Sequence, residues 1–159
     1  MTEPSALDPR QRAFVAAARR AVLSTIGPTG RPRSVPICYV LDPDPGDGVG
    51  RIHSPLDDKP KTASDPRDLA RVRDLLARPE ATLLVDRWSE DWARLAWIRL
   101  DVQGTVLEPA GTDGERAERS AAIGLLRAKY PQYRTHDLEG RPLLRFTIER
   151  VTTWGNESG

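Results

Sequence analysis

The sequence has few cysteines, few histidines and no surplus of charge. A single cysteine, Cys38, cannot form an internal disulfide, and two histidines among 159 residues give no metal-ligand cluster. Lysine and arginine together number 24 against 23 acidic residues, and the net charge of +1 argues against a surface that binds nucleic acid or an anionic membrane. These scarcities predict a metal-free protein in a reducing compartment, with no nucleic acid as partner.

Long apolar segments and familiar catalytic signatures are also missing. No apolar segment approaches the length of a membrane span, and the opening residues, MTEPSALDPRQRAF, lack the basic start and apolar run of a signal peptide. We therefore expect a cytoplasmic protein with no membrane partner. The sequence contains no glycine-rich dinucleotide fingerprint, no P-loop and no nucleophile elbow. If the protein is an enzyme, a cofactor is expected to supply the reactive atoms.

The length of the chain predicts one domain. With 159 residues and 38% apolar content, it is long enough for one core and too short for two. We expect a single domain over residues 1–159, with an ordered core over 10–155.

Three helix-start signatures divide the chain. Asp8 and Asp65 each precede a proline, and Thr112 stands three residues before a glutamate, as in a capping box. Apolar residues follow each signature at helical spacing. The predicted buried stripes are Phe14, Val15, Ala18 and Val22, then Leu69, Val72, Leu75 and Leu76, and finally Ala117, Ala121, Leu125 and Leu126.

Strand patterns dominate the rest of the sequence. Residues 22–26 and 33–41 are rich in β-branched and aromatic side chains and flank the turn sequence GPTG, which predicts a hairpin. Further strands are predicted at 51–54, 81–87 and 96–106, and a last one at 144–149. Hairpins and long antiparallel strands favour an α+β fold, a closed or nearly closed antiparallel barrel of six or more strands with peripheral helices, over a doubly wound sheet.

The second arm of the hairpin contains Pro32 and Pro36, which cannot donate hydrogen bonds to a neighbouring strand. Such a strand is expected at a sheet edge, at a bulge, or where it bends around a ligand. An edge protected against mispairing is an equally good interpretation.

A short loop concentrates lysine in a chain that otherwise uses arginine. Lys59 and Lys61 are two of the three lysines, the third being Lys129, and they precede Thr62 and a helix start. Lysines and backbone amides in this position are suited to hold a phosphate. The alternative is a solvated charge cluster balanced by the two aspartates at 57–58.

The four tryptophans allow two interpretations. Four tryptophans, at 88, 92, 97 and 154, could line a flat aromatic ligand or fill a core or dimer interface. Cys38 is expected as a small core hydrophobe. His53 and His136 are expected to be structural or surface residues, because neither has an obvious carboxylate partner in sequence.

Several segments together resemble the flavin- and deazaflavin-dependent split β-barrel proteins related to pyridoxamine 5'-phosphate oxidase. These are the hairpin STIGPTGRPRSVPICYVLD, the KPKT loop before an Asp-Pro helix start, the strand EATLLVDRW and the terminal RVTTWG. The segment LLVDRWSEDWARLAWIRLDVQG is similar to a mycobacterial-type branch of deazaflavin (coenzyme F420) dependent oxidoreductases.

The resemblance implies a homodimer with a cofactor at the subunit interface, coenzyme F420 or, as the alternative, FMN. It implies a flat ring bordered by Ser34, Val35 and Pro36 and approached through the backbone by Ser54 and Pro55. It also implies a phosphate region held by Lys59, Lys61 and Thr62, and tryptophans Trp88 and Trp92 contributed by the partner subunit.

The implied activity is hydride transfer between the reduced cofactor and an electron-poor, planar small molecule. An FMN-dependent oxidase or reductase, or a noncatalytic protein that binds a flavin or tetrapyrrole, remains the alternative. The chain has Ser64-Asp65 where the family often has an asparagine, so the details of phosphate binding are open. It lacks the arginine-leucine-x-proline ending of true pyridoxamine phosphate oxidases, so vitamin B6 oxidation is not expected.

Overall fold

The computed structural model describes residues 7–56 and 64–157, which form seven strands and three α-helices. In chain order these are α1 (Pro9–Ala17), β1 (Ala21–Ile26), β2 (Pro32–Ile37), β3 (Val40–Leu41), β4 (Arg51–Pro55), α2 (Ala70–Ala77), β5 (Glu80–Arg87), β6 (Ala96–Leu107), α3 (Asp113–Lys129) and β7 (Leu143–Gly155). Short 3-10 turns cover Pro66–Asp68, Trp92–Arg94 and Pro131–Arg134.

All seven strands belong to one antiparallel sheet with the order β2-β1-β5-β6-β7-β4-β3. Strands β2 and β3 stand at opposite ends of this order, yet only Cys38 and Tyr39 separate them in the chain. The sheet must therefore curl until its two ends meet. This half-closed barrel with three helices confirms the predicted α+β barrel.

The interior of the barrel is filled by alternate residues of the central strands. Leu23, Leu83, Val85, Ile98 and Leu100 are fully buried there. Helix α2 closes one end of the barrel by packing on β1 and β6. A β-carbon at position 104 would lie 2.6 Å from Leu75 Cδ2, so the glycine in β6 lets this helix approach the sheet closely.

A second cluster of buried side chains lies beneath α3. It joins the helix to β3 and to the adjacent ends of β6 and β7, and its members include Val40, Leu107, Ile123, Leu126 and Tyr133. The outer side of this part of the sheet is therefore covered.

Two of the predicted helix starts are confirmed as reciprocal capping boxes. Asp8 accepts from the backbone of Gln11 at 2.9 Å while the Gln11 side chain accepts from the backbone of Asp8 at 2.9 Å, and Thr112 and Glu115 do the same at 3.2 and 2.9 Å. The third start differs, because Asp65 caps a 3-10 turn and α2 begins only at Ala70.

The predicted boundaries and stripes need four corrections. Val22 lies in β1, because α1 ends at Ala17, and the predicted strand 33–41 is divided at Cys38 and Tyr39. Leu76 is 65% exposed, whereas the other predicted residues of its stripe, Leu69, Val72 and Leu75, are buried. In α3 the predicted Leu126 is buried, but Ala117 and Ala121 are exposed and Ala122 and Ile123 are buried in their place.

None of the described helices combines the length and apolar character that crossing a membrane requires. Across 7–56 and 64–157, no group of three or more histidine, cysteine, aspartate or glutamate residues is placed to hold a metal ion.

Lys129, the last residue of α3, is a buried cation that contacts aromatic rings. Its Nζ lies 4.2 Å from the centroid of the Tyr39 ring and 5.4 Å from that of Tyr130. This nitrogen is buried and has no hydrogen-bond partner among the described residues. Burial, followed by the charge of Arg19, lowers the pKa of Lys129 from 10.5 to about 8.

We therefore expect the free energy of unfolding to rise between about pH 8 and about pH 10. Lys129 loses its proton at a lower pH in the folded protein than in the unfolded chain, so within this window the unfolded state binds more protons and stability increases with pH. Urea unfolding at about pH 7.5 and about pH 9.5 should show the rise in the wild type and not in Lys129→Met. The same pH dependence in both proteins would contradict this expectation.

Candidate functional site

Strand β2 is an open edge of the sheet. It pairs with β1 only, so the backbone groups on its other side have no strand partner among the described residues. Ser34 and Pro36 are exposed on its outer face, where the Ser34 hydroxyl is 2.8 Å from that of Ser24. Val35 points the other way and packs against the core. The side chains of Ser34 and Pro36 therefore border open surface, whereas that of Val35 is partly buried against the core.

A buried carboxylate fixes β2 to helix α2. Asp74, 3% exposed, accepts from Arg33 Nε at 3.0 Å and also from Arg33 Nη2. The Thr25 hydroxyl on β1 donates to the same carboxylate at 2.8 Å. Burial alone would raise the pKa of Asp74, but the hydrogen bonds from Arg33 and Thr25 outweigh burial and keep it below its usual value. Asp74 is therefore ionised at neutral pH and holds the start of the edge strand in place.

The end of β4 lies beside the end of β2. Ser54 is 1% exposed and its hydroxyl donates to the carbonyl oxygen of Cys38 at 2.8 Å, the residue that follows β2. Pro55 is buried as well. The structure thus places Ser54 against Cys38, two residues beyond Pro36, and the predicted approach of Ser54 and Pro55 to a ligand through the backbone stays a prediction.

The predicted phosphate residues Lys59, Lys61 and Thr62 lie outside the described residues, so their role remains a prediction. The described residues on either side of this segment are held by contacts with the rest of the protein. The chain leaves β4 through the buried Leu56. On the far side, Arg67 donates to Glu108 at the end of β6, at 3.0 and 2.6 Å.

The tryptophans lie at one end of the sheet's outer face. Trp88 and Trp92 follow β5 and are 70% and 74% exposed, and Trp154, 53% exposed, is paired across the strands with Trp97. Leu84 is opposite Val22 of β1, which in turn is opposite Pro36 of β2. Trp88 lies four residues beyond Leu84, which is roughly 13 Å along the strand direction. Within one chain, Trp88 therefore lies away from the predicted ring-lining residues of β2, and the assignment of Trp88 and Trp92 to a partner subunit stays a prediction.

The outer face of β1, β5 and β6, with the second half of β7, is not covered by any described helix. The helices pack instead on β3 and β4 or against the end of the barrel. This uncovered face carries Leu84, 36% exposed, next to Val22 and Arg99 in the register, and the Trp97–Trp154 pair. Charged side chains stand between these apolar ones, since Arg99 is opposite Leu84 and Asp86 is opposite Trp97.

His53 does have a carboxylate partner, which corrects the expectation from the sequence. Its Nε2 is 2.7 Å from Glu118 Oε1 on α3, 65 residues away in the chain. No local spacing could have indicated this pair, because only the docking of α3 on β4 brings the two residues together.

The fold is that of a curled antiparallel half-barrel whose edge strand β2 is open, and the sequence comparison agrees with it. The family model described as pyridoxamine 5'-phosphate oxidase matches residues 7–155. The chain therefore belongs to the pyridoxamine 5'-phosphate oxidase family. A search of curated proteins found no significant match.

Solved structures of similar fold come from several bacteria. A conserved hypothetical protein from Mycobacterium tuberculosis aligns over 98% of this chain and 88% of its own, with a TM-score of 0.69 and 15% identity. An FAD-binding protein from Mesorhizobium loti aligns over 89% and 87%, with a TM-score of 0.60 and 17% identity. HutZ, a heme storage protein from Vibrio cholerae, aligns over 95% of both chains, with a TM-score of 0.58 and 11% identity. At these identities the likeness establishes the fold alone.

Proposed function

We propose that the protein is an oxidoreductase that binds the reduced deazaflavin coenzyme F420 and transfers hydride to an electron-poor, planar small molecule. The observation that carries the proposal is the junction where the Ser54 hydroxyl at the buried end of β4 donates to Cys38, directly after the open edge strand β2. Lys59 and Lys61 follow β4 in the sequence. Membership of the pyridoxamine 5'-phosphate oxidase family supports a flavin-like cofactor at this junction.

The residues at the junction suit a flat, phosphorylated cofactor. Ser34 and Pro36 offer an exposed surface on a strand whose position is fixed by the Arg33–Asp74 pair. Arg33 is engaged by Asp74, and the resemblance to the family assigns the phosphate to Lys59, Lys61 and Thr62. A bound deazaflavin supplies the hydride. The protein holds the ring, orients the substrate plane against it and excludes water.

A homodimer is part of the proposal. The uncovered outer face offers Leu84 and the Trp97–Trp154 pair as an apolar contact between two copies, and Trp88 and Trp92 project beside it. Dimerisation through this face would bury these side chains and bring the tryptophans of one copy towards the β2 edge of the other. The dimer thereby accounts for two tryptophans that stay exposed in a single chain.

FMN is the second candidate cofactor, supported by the family match and by the phosphate chemistry of the lysines. A carrier that binds a flavin or a tetrapyrrole without catalysis is the third, since one protein of this fold is described as storing heme.

Titration of the purified protein with coenzyme F420, FMN and heme tests the choice. We expect micromolar binding of the deazaflavin, and oxidation of its reduced form when quinones or nitroaromatic probes are added as hydride acceptors. Binding of FMN without the deazaflavin would overturn the cofactor assignment. Tight binding of any of the three, without turnover on any probe, would overturn the assignment as an enzyme.

Lys61→Ala is expected to weaken cofactor binding by about 1.5 to 3 kcal/mol, because it removes a charge-assisted hydrogen bond to phosphate. The affinity is measured by the same titration. The matched control is Arg134→Ala, which removes an exposed cation after α3. Lys129 cannot serve as the control, since its buried Nζ contacts Tyr39. Equal losses in both variants would show that overall charge, and no defined phosphate site, controls affinity.

A further inference from the structure

Two serine hydroxyls are hydrogen-bonded to each other at the open edge of the sheet. Ser24 of β1 and Ser34 of β2 are opposite each other in the register, and their Oγ atoms are 2.8 Å apart. Within 7–56 and 64–157, neither hydroxyl has another hydrogen-bond partner. Two hydroxyls carry two protons and their mutual contact uses one of them, so one proton remains that can be donated to a ligand.

An apolar row lies beside this hydroxyl pair on the same outer face of the sheet. Pro36 of β2 is opposite Val22 of β1, and Val22 is opposite Leu84 of β5. Pro36 and Val22 are each two residues along their strand from one of the serines, so the two rows are roughly 7 Å apart and share a face. The surface is therefore apolar with hydroxyls along one side, which suits a flat aromatic ring that carries a polar substituent.

The pose proposed for the cofactor brings one end of its ring to the serine pair. In that pose Ser54 and Pro55 meet the pyrimidine edge of the ring, and the Ser54 hydroxyl donates to the carbonyl oxygen of Cys38 at 2.8 Å. Ser34 lies four residues before Cys38, which is about 13 Å along an extended strand. In a flavin or a deazaflavin, the substituents of the benzenoid ring lie at the end opposite to the pyrimidine edge. The benzenoid end would therefore lie at Ser34.

We propose that the Ser24–Ser34 pair binds the ring hydroxyl of the deazaflavin and thereby favours this cofactor over FMN, an inference that rests on the proposed cofactor site. The deazaflavin has an acidic hydroxyl on its benzenoid ring, where FMN has methyl groups. The free serine proton forms a charge-assisted hydrogen bond to the ionised hydroxyl and finds no acceptor on a methyl group. Ser34 is the more exposed of the two and contacts the ligand. Ser24 is a positioning residue, because its donated hydrogen bond makes Ser34 a stronger donor.

Fluorescence titration of the full chain with the deazaflavin, and with an analogue that lacks only the ring hydroxyl, tests the proposal. We expect the wild type to bind the analogue about tenfold more weakly, and Ser34→Ala to bind the two ligands equally, through loss of a hydrogen bond to a charged group. Ser24→Ala should lose part of the preference, and Ser24→Thr, which keeps a hydroxyl, should retain it. Ser120→Ala is the matched control, since it removes an exposed serine hydroxyl on α3. It should keep the preference of the wild type.

The outcomes separate this inference from the proposed function. If the wild type does not bind the deazaflavin, the cofactor assignment and the role of the serine pair are both overturned. If the wild type binds the deazaflavin and its analogue equally, or if Ser34→Ala keeps the full preference, only the role of the serine pair is overturned. A Ser34→Ala protein that binds both ligands more weakly by the same factor would show a structural role for Ser34 and would also overturn the inference.

Discussion

A Leu84→Arg variant is expected to sediment as a monomer under conditions in which the wild type is a dimer. Leu84 lies on the uncovered outer face of the sheet and is opposite Arg99 in the β5–β6 register. In a dimer built on this face the new guanidinium would be desolvated beside another cation, which costs several kcal/mol. We expect the dissociation constant of the dimer to rise by about a hundredfold or more. Sedimentation at a series of concentrations measures it.

Leu76→Arg is the matched control for this variant. Leu76 is also an exposed leucine, 65% accessible, but it lies on α2 and away from the outer face. It should leave the dimer intact. If the cofactor lies between subunits, Leu84→Arg should also lose cofactor affinity while Leu76→Arg retains it. A wild-type protein that sediments with the mass of one chain at all concentrations would refute the dimer itself.

Asp74→Ala is expected to lower the free energy of unfolding by about 2 to 3 kcal/mol. The change leaves the buried Thr25 hydroxyl without its acceptor and releases Arg33, whose side chain is 44% exposed and can be partly solvated. The folded protein lowers the pKa of Asp74, so its contribution is present at neutral pH and is lost as the pH falls below about 4. The difference between wild type and variant should therefore shrink in acid. Urea unfolding at neutral and acidic pH measures both effects.

Glu139→Ala provides the comparison for Asp74→Ala. Glu139 also binds an arginine through both oxygens, but its side chain is 61% exposed. An exposed ion pair contributes about 1 kcal/mol or less, so this variant should be the less affected of the two. Equal losses in the free energy of unfolding would show that burial does not increase the stabilisation that the contacts of Asp74 provide.

Local signals in the sequence predicted the parts of the fold that short-range interactions determine. The capping boxes at Asp8 and Thr112 involve residues three positions apart, so the sequence pattern contains the whole interaction. Alternation in β6 likewise predicted its buried face, since side chains of a strand alternate regardless of its neighbours. The prolines of β2 correctly indicated an edge strand.

Tertiary packing determines the burial and the contacts that local sequence patterns did not predict. Leu76 looked buried because it continues an apolar run, but the sheet lies on the other side of α2. Arg119 of α3 is a charged residue that is only 4% exposed, because it donates to the carbonyl oxygens of residues 107, 139 and 141. The partner of His53 became visible only through the docking of α3. Each of these facts depends on segments far apart in the chain.

The place of β7 in the sheet has a consequence for how the protein reaches its native state. β7 pairs with both β6 and β4, so β4 has only the two-residue strand β3 as a partner until β7 has left the ribosome. The hairpin of β1 and β2 can form early, but closure of the barrel has to follow synthesis of nearly the whole chain. We therefore expect slow folding, because the sheet depends on strand pairs that are far apart in the sequence. We also expect the nascent chain to expose apolar strands until β7 has been synthesised.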